Sequence, residues 1–264
     1  MRLTLIGLAF ALAAPLTASA EPLDLTRYRL VDLSHAYDEN TVYWPAKPPS
    51  GFELHQLSYG KTPGGWFYAS NSFCTAEHGG THLDAPIHFA ADRLTTEQLP
   101  LKQLIAPAVV IDVRDQTRND PSFRLAGRDV LEFERRSGRI APGSIVLLHT
   151  GWSKRWPDRK AYLGDASRED ASNLDFPSYG EEAARLLVEE RKVALLGVDT
   201  ASIDYGKSKD FIVHRVAADK NVGGLENLTN LDQLPASGFT VFALPMKIAG
   251  GSGGPVRVVA LVPR

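Results

Sequence analysis

Residues 78–88 read His-Gly-Gly-Thr-His-Leu-Asp-Ala-Pro-Ile-His and contain four side chains of the kind that binds metals: His78, His82, Asp84 and His88. Imidazole and carboxylate groups bind divalent first-row metals at neutral pH. In a straight strand, His78 and Asp84 would lie about 20 Å apart, at about 3.3 Å per residue. Because one ion needs its ligand atoms about 2 Å away, the backbone must curl here.

Glycine and proline within this stretch allow the required bends. Gly79 and Gly80 permit unusual backbone dihedral angles, and Pro86 can fix a second bend. His82 and Asp84 share one face if the segment between them is extended, since side chains alternate along a strand. Two adjacent glycines make a helix unfavourable. We therefore expect a bent, extended metal-binding segment rather than ordinary loop histidines.

The composition is typical of a soluble globular protein with one large core. The chain has 264 residues, of which 44% are hydrophobic and 23% are charged. A net charge of −2 argues against a basic surface for nucleic acid and against a polybasic membrane patch. Cys74 is the only cysteine, so no intramolecular disulfide is possible, and we expect a packed thiol rather than a nucleophile.

The first twenty residues have the pattern of a signal peptide. Arg2 supplies a positive charge, residues 3–16 are apolar, and residues 18–20 form a small-x-small cleavage motif. The apolar stretch is too short and too rich in alanine for a comfortable membrane-spanning helix. We therefore expect the mature protein to form one domain over residues 21–264 in the bacterial periplasm or outside the cell, without a membrane anchor.

Apolar runs and amphipathic segments alternate along the mature chain. This order implies an α/β fold in which helices flank a mixed sheet. On the first of the helices named below, Val130, Leu131 and Phe133 form the predicted apolar side. The predicted strands are residues 30–33, 108–113, 144–148, 193–198, 239–244 and 256–262, and the predicted helices are residues 128–136 and 181–191.

Two further segments lie outside these elements. Residues 154–177 are polar and carry several acidic side chains, so we expect a surface excursion or a lid. Residues 250–254 read Gly-Gly-Ser-Gly-Gly and are predicted to form a tight turn between the last two strands. The alternative is a backbone nest around Ser252 that binds a substrate anion.

A second candidate pair of metal ligands, His214 and Glu226, lies further along the chain. Both residues are next to apolar residues, and Gly223 and Gly224 allow a close backbone approach. Taken alone, such a pair is usually structural or solvated. The pair becomes a stronger candidate here because the first cluster lacks a further carboxylate that would complete the coordination of a metal.

Residues 78–89 resemble the HxGTHxDxPxHF signature of the cyclase family of metal-dependent hydrolases, and every defining position is filled. Members of this family include bacterial kynurenine formamidases and isatin hydrolases. The resemblance implies a swivelling β/β/α-type fold and a homodimer or higher homo-oligomer. Further similar segments are residues 32–34, 44–45, 148–152, 197–200 and 244–247.

The resemblance also implies a set of metal ligands. In the formamidase branch, His78, His82 and Asp84 would hold one zinc ion. Asp84 and Glu226 would bridge to a second zinc ion, and His214 would complete that site. Manganese remains an alternative, because imidazole and carboxylate ligands suit both metals.

Two other residues are similar to functional positions of the family. His88 resembles the acid/base residue, which would protonate a leaving amide nitrogen; the alternative is that it orients Asp84. Trp44 resembles an aromatic wall against the substrate, although Ala46 replaces the glycine that usually follows Trp-Pro. A tryptophan among prolines could also pack the surface.

These observations predict a metal-dependent hydrolase that cleaves a linear or cyclic amide C–N bond. Two divalent ions can activate a water molecule and polarise a carbonyl oxygen. The first expectation is an arylformamidase acting on a substrate such as N-formylkynurenine. The second is an isatin-hydrolase-like enzyme that opens a cyclic amide, a branch for which the resemblance implies one manganese ion per chain. A non-catalytic periplasmic metal-binding protein is the alternative from another class.

Overall fold

A mixed sheet of eight strands forms the centre of the fold, which a computed structural model describes over residues 22–264. The predicted signal peptide, residues 1–20, lies outside the described residues. The strands are β1 (Tyr28–Asp32), β2 (Phe52–Lys61), β3 (Phe67–Thr75), β4 (His82–Asp84), β5 (Ile105–Asp112), β6 (Arg124–Leu125), β7 (Ile145–His149), β8 (Ser178–Tyr179), β9 (Leu195–Val198), β10 (Gly223–Glu226), β11 (Phe239–Pro245) and β12 (Gly253–Pro263).

The large sheet closes on itself like a barrel. Its strand order is β1-β12-β11-β5-β7-β9-β10-β4, and β12 pairs with β4 as well. Strands β5, β7, β9 and β10 run parallel to one another. Their apolar runs suit this position, because a strand covered on both faces needs no polar side; all five residues of β7 are buried.

Helices cover the outside of the parallel strands. The α-helices are α1 (Leu101–Leu104), α2 (Arg114–Thr117), α3 (Gly127–Ser137), α4 (Arg159–Leu163), α5 (Glu181–Arg185) and α6 (Ile212–Asp219), and one π-helical turn, Leu186–Glu190, continues α5. Short 3-10 turns are Leu25–Arg27, Pro86–His88, Thr96–Gln98, Trp152–Arg155 and Leu231–Gln233. Within residues 22–264, no helix combines the length and the hydropathy needed to cross a bilayer.

The predicted α/β fold with a mixed sheet flanked by helices is confirmed. The six predicted strands correspond to β1, β5, β7, β9, β11 and β12, and the two predicted helices correspond to α3 and to α5 with its π-helical turn. One detail is wrong: Val130 and Phe133 are buried, but Leu131 is 47% exposed. Leu131 follows Val130 by one residue, about 100° further around the helix, and therefore turns away from the sheet.

Residues 154–177 are not simply the polar surface excursion or lid predicted from their composition. They include α4, and the side chains of Tyr162, Leu163, Leu174 and Phe176 are completely buried. These residues form an apolar cluster with Trp152 and Val42. The polar residues around them conceal this cluster in the sequence, since a few spaced apolar side chains are enough to anchor a loop.

The hairpin formed by β2 and β3 is the main element that the sequence analysis missed. Its strands pair only with each other, in a two-stranded sheet apart from the large one. Neither strand shows a clean alternation of apolar and polar residues, because neither has one face on a core. The expected packing of Cys74 is wrong for the same reason: Cys74 lies on β3 and is exposed.

Candidate metal centre

Strand β4 positions the first candidate ligands between two neighbouring strands. It pairs antiparallel with β10, where Glu226 faces His82, and with β12, where Gly253 faces Asp84. The extended backbone points His82 and Asp84 to one side and Leu83 into the core, where its exposure is 0%. The predicted extended conformation of this segment is therefore observed.

The glycine pair before β4 makes the predicted bend. Gly80 has a φ of +59°, which a residue with a side chain rarely adopts. A Cβ atom at Gly80 would also lie 2.6 Å from Cζ of Tyr37. The bend returns the chain so that Nδ1 of His78 lies 2.6 Å from Oδ1 of Asp84.

The imidazole of His82 completes the first cluster with His78 and Asp84. Its Nδ1 donates to the carbonyl oxygen of Gly80 at 2.9 Å, which leaves Nε2 to face Asp84 Oδ1 at 3.1 Å. Burial opposes a charge on His82, but the carboxylates of Asp84 and Glu226 outweigh it and raise its pKa to about 9. The cluster therefore attracts positive charge strongly.

Helix α6 and strand β10 bring the second cluster to the same place. His214 Nε2 lies 3.1 Å from Asp84 Oδ2 and 3.2 Å from Glu226 Oε1. The other ring nitrogen, Nδ1, is 2.7 Å from Asp204 Oδ2, and the backbone N–H of His214 also donates to that carboxylate. Asp204 thereby sets the orientation of the His214 ring.

The donor set fits a divalent cation. Asp84 belongs to both clusters, and within each cluster the ligand atoms lie within 4.8 Å of one another. Asp84 and Glu226 are both buried, and burial together with the charge of Asp84 raises the pKa of Glu226. Two buried carboxylates side by side repel each other unless a positive charge lies between them, and a metal ion supplies that charge.

A cavity of about 360 Å³ opens above these clusters. Trp44 lies in its wall, with its ring centre 5.9 Å from that of Phe211 and the two ring planes at 61° to each other. Phe89 continues the aromatic wall and contacts Phe211 at 5.3 Å between ring centres. The sequence did not indicate that Phe89 and Phe211 line the cavity. Phe89 lies within the family signature, whereas no local pattern marks Phe211.

His88 lines the same cavity from the short turn Pro86–His88. Its ring stacks on that of His78 at 3.8 Å between centres and is accessible from the cavity. Removal from bulk solvent lowers the pKa of His88 to about 4, so that the imidazole is neutral at pH 7. Within the described chain, ring nitrogens of His78 and His214, and not of His88, lie within hydrogen-bond distance of Asp84, which favours the acid/base role over the orienting one.

Comparisons with known proteins agree with this geometry. Residues 31–205 match the sequence profile of the family named Cyclase. An isatin hydrolase of Roseibium aggregatum is 34% identical over 83% of this chain and 84% of its own length. A kynurenine formamidase of Salinibacter ruber is 28% identical over 87% of this chain and 96% of its own length.

Solved structures show the same relationship. The crystal structure of an isatin hydrolase bound to the product analogue thioisatinate superposes with a TM-score of 0.82 and 32% identity. The superposition covers 90% of this chain and 94% of that protein. The similarity thus extends over nearly all of the described fold.

Proposed function

Because this chain belongs to the cyclase family of metal-dependent hydrolases, as the resemblance of residues 78–89 predicted, we propose that it opens a cyclic amide fused to an aromatic ring. The observation that carries the proposal is the pair of clusters sharing Asp84 at the floor of an aromatic cavity. The chain is a hydrolase that acts on amides, and its substrate is what the proposal adds.

A cyclic amide of the isatin type is the first choice for this substrate. Identity is 34% to the isatin hydrolase and 28% to the formamidase described above. A flat bicyclic ring also suits a cavity walled by Trp44, Phe89 and Phe211. This choice reverses the order of the two substrates expected from the sequence.

An N-formyl aromatic amine is the second candidate. It is supported by the presence of both His214 and Glu226, which the sequence analysis associated with the dinuclear formamidase branch. The same aromatic wall would accept its ring. The two candidates differ in whether the amine product leaves or stays attached to the acid.

We assign two divalent ions to the clusters, one held by His78, His82 and Asp84 and one by Asp84, His214 and Glu226. Zinc is the first choice and manganese the second, because three of the five donors are imidazoles, which suit zinc, and two are carboxylates, which suit manganese. Bound at such a site, a divalent ion polarises a carbonyl oxygen and lowers the pKa of water.

The protein's own residues supply the remaining chemistry. His88, neutral and accessible from the cavity, accepts a proton at a free ring nitrogen from the water whose oxygen bonds to the carbonyl carbon. It then gives this proton to the amide nitrogen as the C–N bond breaks. The aromatic wall orients the substrate ring and excludes bulk water. Asp204 holds the ring of His214 through Nδ1, so that Nε2 stays directed at Asp84 and Glu226.

A direct assay tests the substrate and the metal together. Protein stripped with a chelator and reloaded with zinc or manganese is offered isatin and N-formylkynurenine, and turnover is followed by absorbance while elemental analysis counts the ions. We expect isatin opening with kcat/KM at least tenfold above that for N-formylkynurenine, and no turnover of the stripped protein. Faster cleavage of N-formylkynurenine would overturn the first substrate, and turnover that survives stripping would overturn the mechanism.

We also infer a homodimer that forms through the hairpin of β2 and β3. This hairpin exposes large apolar side chains, and a two-stranded sheet is marginally stable by itself. Leu54 faces Phe73 in the pairing of the two strands, and the rings of Tyr59 and Phe67 pack edge to face, so that these four residues form one apolar face. A second copy offers the same apolar surface, which suits a symmetric contact. The exposed residues are Leu54, Leu57, Tyr59, Trp66, Phe67, Tyr68 and Phe73.

Charged substitutions on the hairpin test this interface. We expect the double variant Leu57→Glu with Tyr59→Lys to sediment as a monomer, because it places charges in the apolar contact, while the wild type sediments at twice the chain mass. Leu131→Glu is the matched control, since Leu131 is exposed on α3, away from the hairpin. A monomeric wild type, or a hairpin variant that remains dimeric, would contradict the assignment.

A further inference from the structure

The glycine-rich run at residues 250–254 contacts the first cluster through His78. It connects β11 to β12, and its last two glycines pair with Asp84 and Leu83 of β4. The carbonyl oxygen of Ser252 also accepts a hydrogen bond from the backbone N–H of Ala85 at 2.8 Å. The run is therefore attached to the same strand that carries two of the candidate ligands.

The hydroxyl of Ser252 links two side chains at this point. Its Oγ lies 2.6 Å from Oε2 of Glu77 and 2.9 Å from Nε2 of His78. The backbone N–H of Ser252 donates to the same Glu77 oxygen at 3.0 Å. Glu77 and His78 are adjacent in the sequence, whereas Ser252 is 174 residues from His78.

The chemistry of these groups sets the direction of the hydrogen bonds. A carboxylate oxygen only accepts, so the hydroxyl hydrogen of Ser252 points to Glu77. The oxygen of that hydroxyl then accepts, and Nε2 of His78 must carry the hydrogen. The unprotonated nitrogen of a neutral His78 is consequently Nδ1, the atom 2.6 Å from Asp84 and inside the first cluster.

The glycines on both sides of Ser252 are required by this close approach. A Cβ atom at Gly253 would lie 2.6 Å from Cε1 of His78 and 2.7 Å from the carbonyl oxygen of Leu83. A Cβ atom at Gly251 would lie 2.8 Å from Oε1 of Glu77. Any side chain at these positions would push the run away from His78.

We propose that Glu77 and Ser252 are positioning residues that hold His78 in the tautomer with the proton on Nε2, so that Nδ1 faces the metal. This inference rests on the proposed metal site. Histidine ligands of metals usually donate their second ring N–H to a partner, and loss of that partner weakens metal affinity about 10–100-fold. Ser252 is that partner. Glu77 accepts the hydroxyl hydrogen of Ser252, so that the hydroxyl oxygen is free to accept from His78.

Zinc affinity is the measurement that tests this arrangement. Ser252→Ala and Glu77→Ala are expected to weaken zinc binding at one of the two sites about 10–100-fold in competition with a chromophoric chelator. The double variant should lose little more than Ser252→Ala alone, since the two residues act in series. Ser252→Thr, which keeps a hydroxyl, should recover most of the affinity. Ser237→Ala, in an exposed turn, is the matched control and should bind as the wild type does.

The imidazole ¹⁵N shifts of His78 in the zinc-loaded protein give a second readout, which should report a proton on Nε2. Zinc binding within twofold of the wild type in both single variants would overturn the positioning role, as would additive losses in the double variant. A proton found on Nδ1 would overturn it as well. If the wild type takes up no zinc or manganese, the proposed function fails; if it does while the variants match it, only this inference fails.

Discussion

Asp84→Asn lowers kcat/KM on the order of 10³-fold or more and removes bound metal from both clusters. Asp84 is the residue that the two clusters share, and asparagine keeps its shape while removing the charge. Several kcal/mol of transition-state stabilisation depend on the bound ion, and each ~1.4 kcal/mol corresponds to a factor of ten in rate. Elemental analysis of the purified variant, together with the steady-state rate, measures both effects.

Asp115→Asn is the control for this loss. Asp115 has a side chain that is 89% exposed on α2, so that its substitution should leave the metal content and the rate unchanged. The variant at Asp84 should still unfold cooperatively, because removing one of two adjacent buried carboxylates also removes their repulsion. If Asp84→Asn retained two ions per chain and a rate within tenfold of the wild type, neither cluster would be the metal site.

His88→Asn lowers kcat about 10²–10⁴-fold, the usual contribution of a positioned acid or base, and leaves the metal content intact. The ring of His88 lines the cavity and stacks on His78 without belonging to either cluster. The separation of rate from metal content is what distinguishes a hydrolase from a protein that only binds metal. Steady-state kinetics and elemental analysis on one protein preparation provide the comparison.

His55→Asn serves as the control. His55 is exposed on β2, pairs with Ser72 of β3 and belongs to neither cluster. A variant at His88 with an unchanged kcat would refute the acid/base role. If metal affinity fell together with kcat, the alternative expected from the sequence, an orienting role toward Asp84, would replace it. The contacts of Asp84 described above favour the first outcome.

Much of the sheet could be predicted because buried strands have a recognisable run of apolar residues. The strands β7 and β9 are covered on both faces, so their sequences are almost uninterrupted apolar runs. The hairpin of β2 and β3 has no such run, since neither of its faces packs on a core within the described chain. Leu131 was misplaced for a related reason: an apolar residue predicts burial only on average.

The candidate ligands could be predicted for a different reason, namely their spacing and chemistry. His78, His82 and Asp84 lie within seven residues and match a family signature. His214 and Glu226 formed only a weak candidate pair from the residues themselves, and the resemblance implied their role as ligands, because nothing near them in the sequence indicates a partner. The contact of Phe211 with the site left no local pattern, and the glycine-rich run drew attention to Ser252 without indicating its contact with His78.

The sequence by itself determined that this protein has an α/β fold with a bent metal-binding segment, because hydrophobic period, glycine conformations and ligand chemistry are properties of neighbouring residues. The tertiary structure alone decided which distant groups meet there. Closure of the sheet through β12 and β4 brings Ser252 to His78 across 174 residues, and β10 brings Glu226 to His82. Such contacts depend on strand order and register, which arise from the packing of the whole chain and not from any one segment.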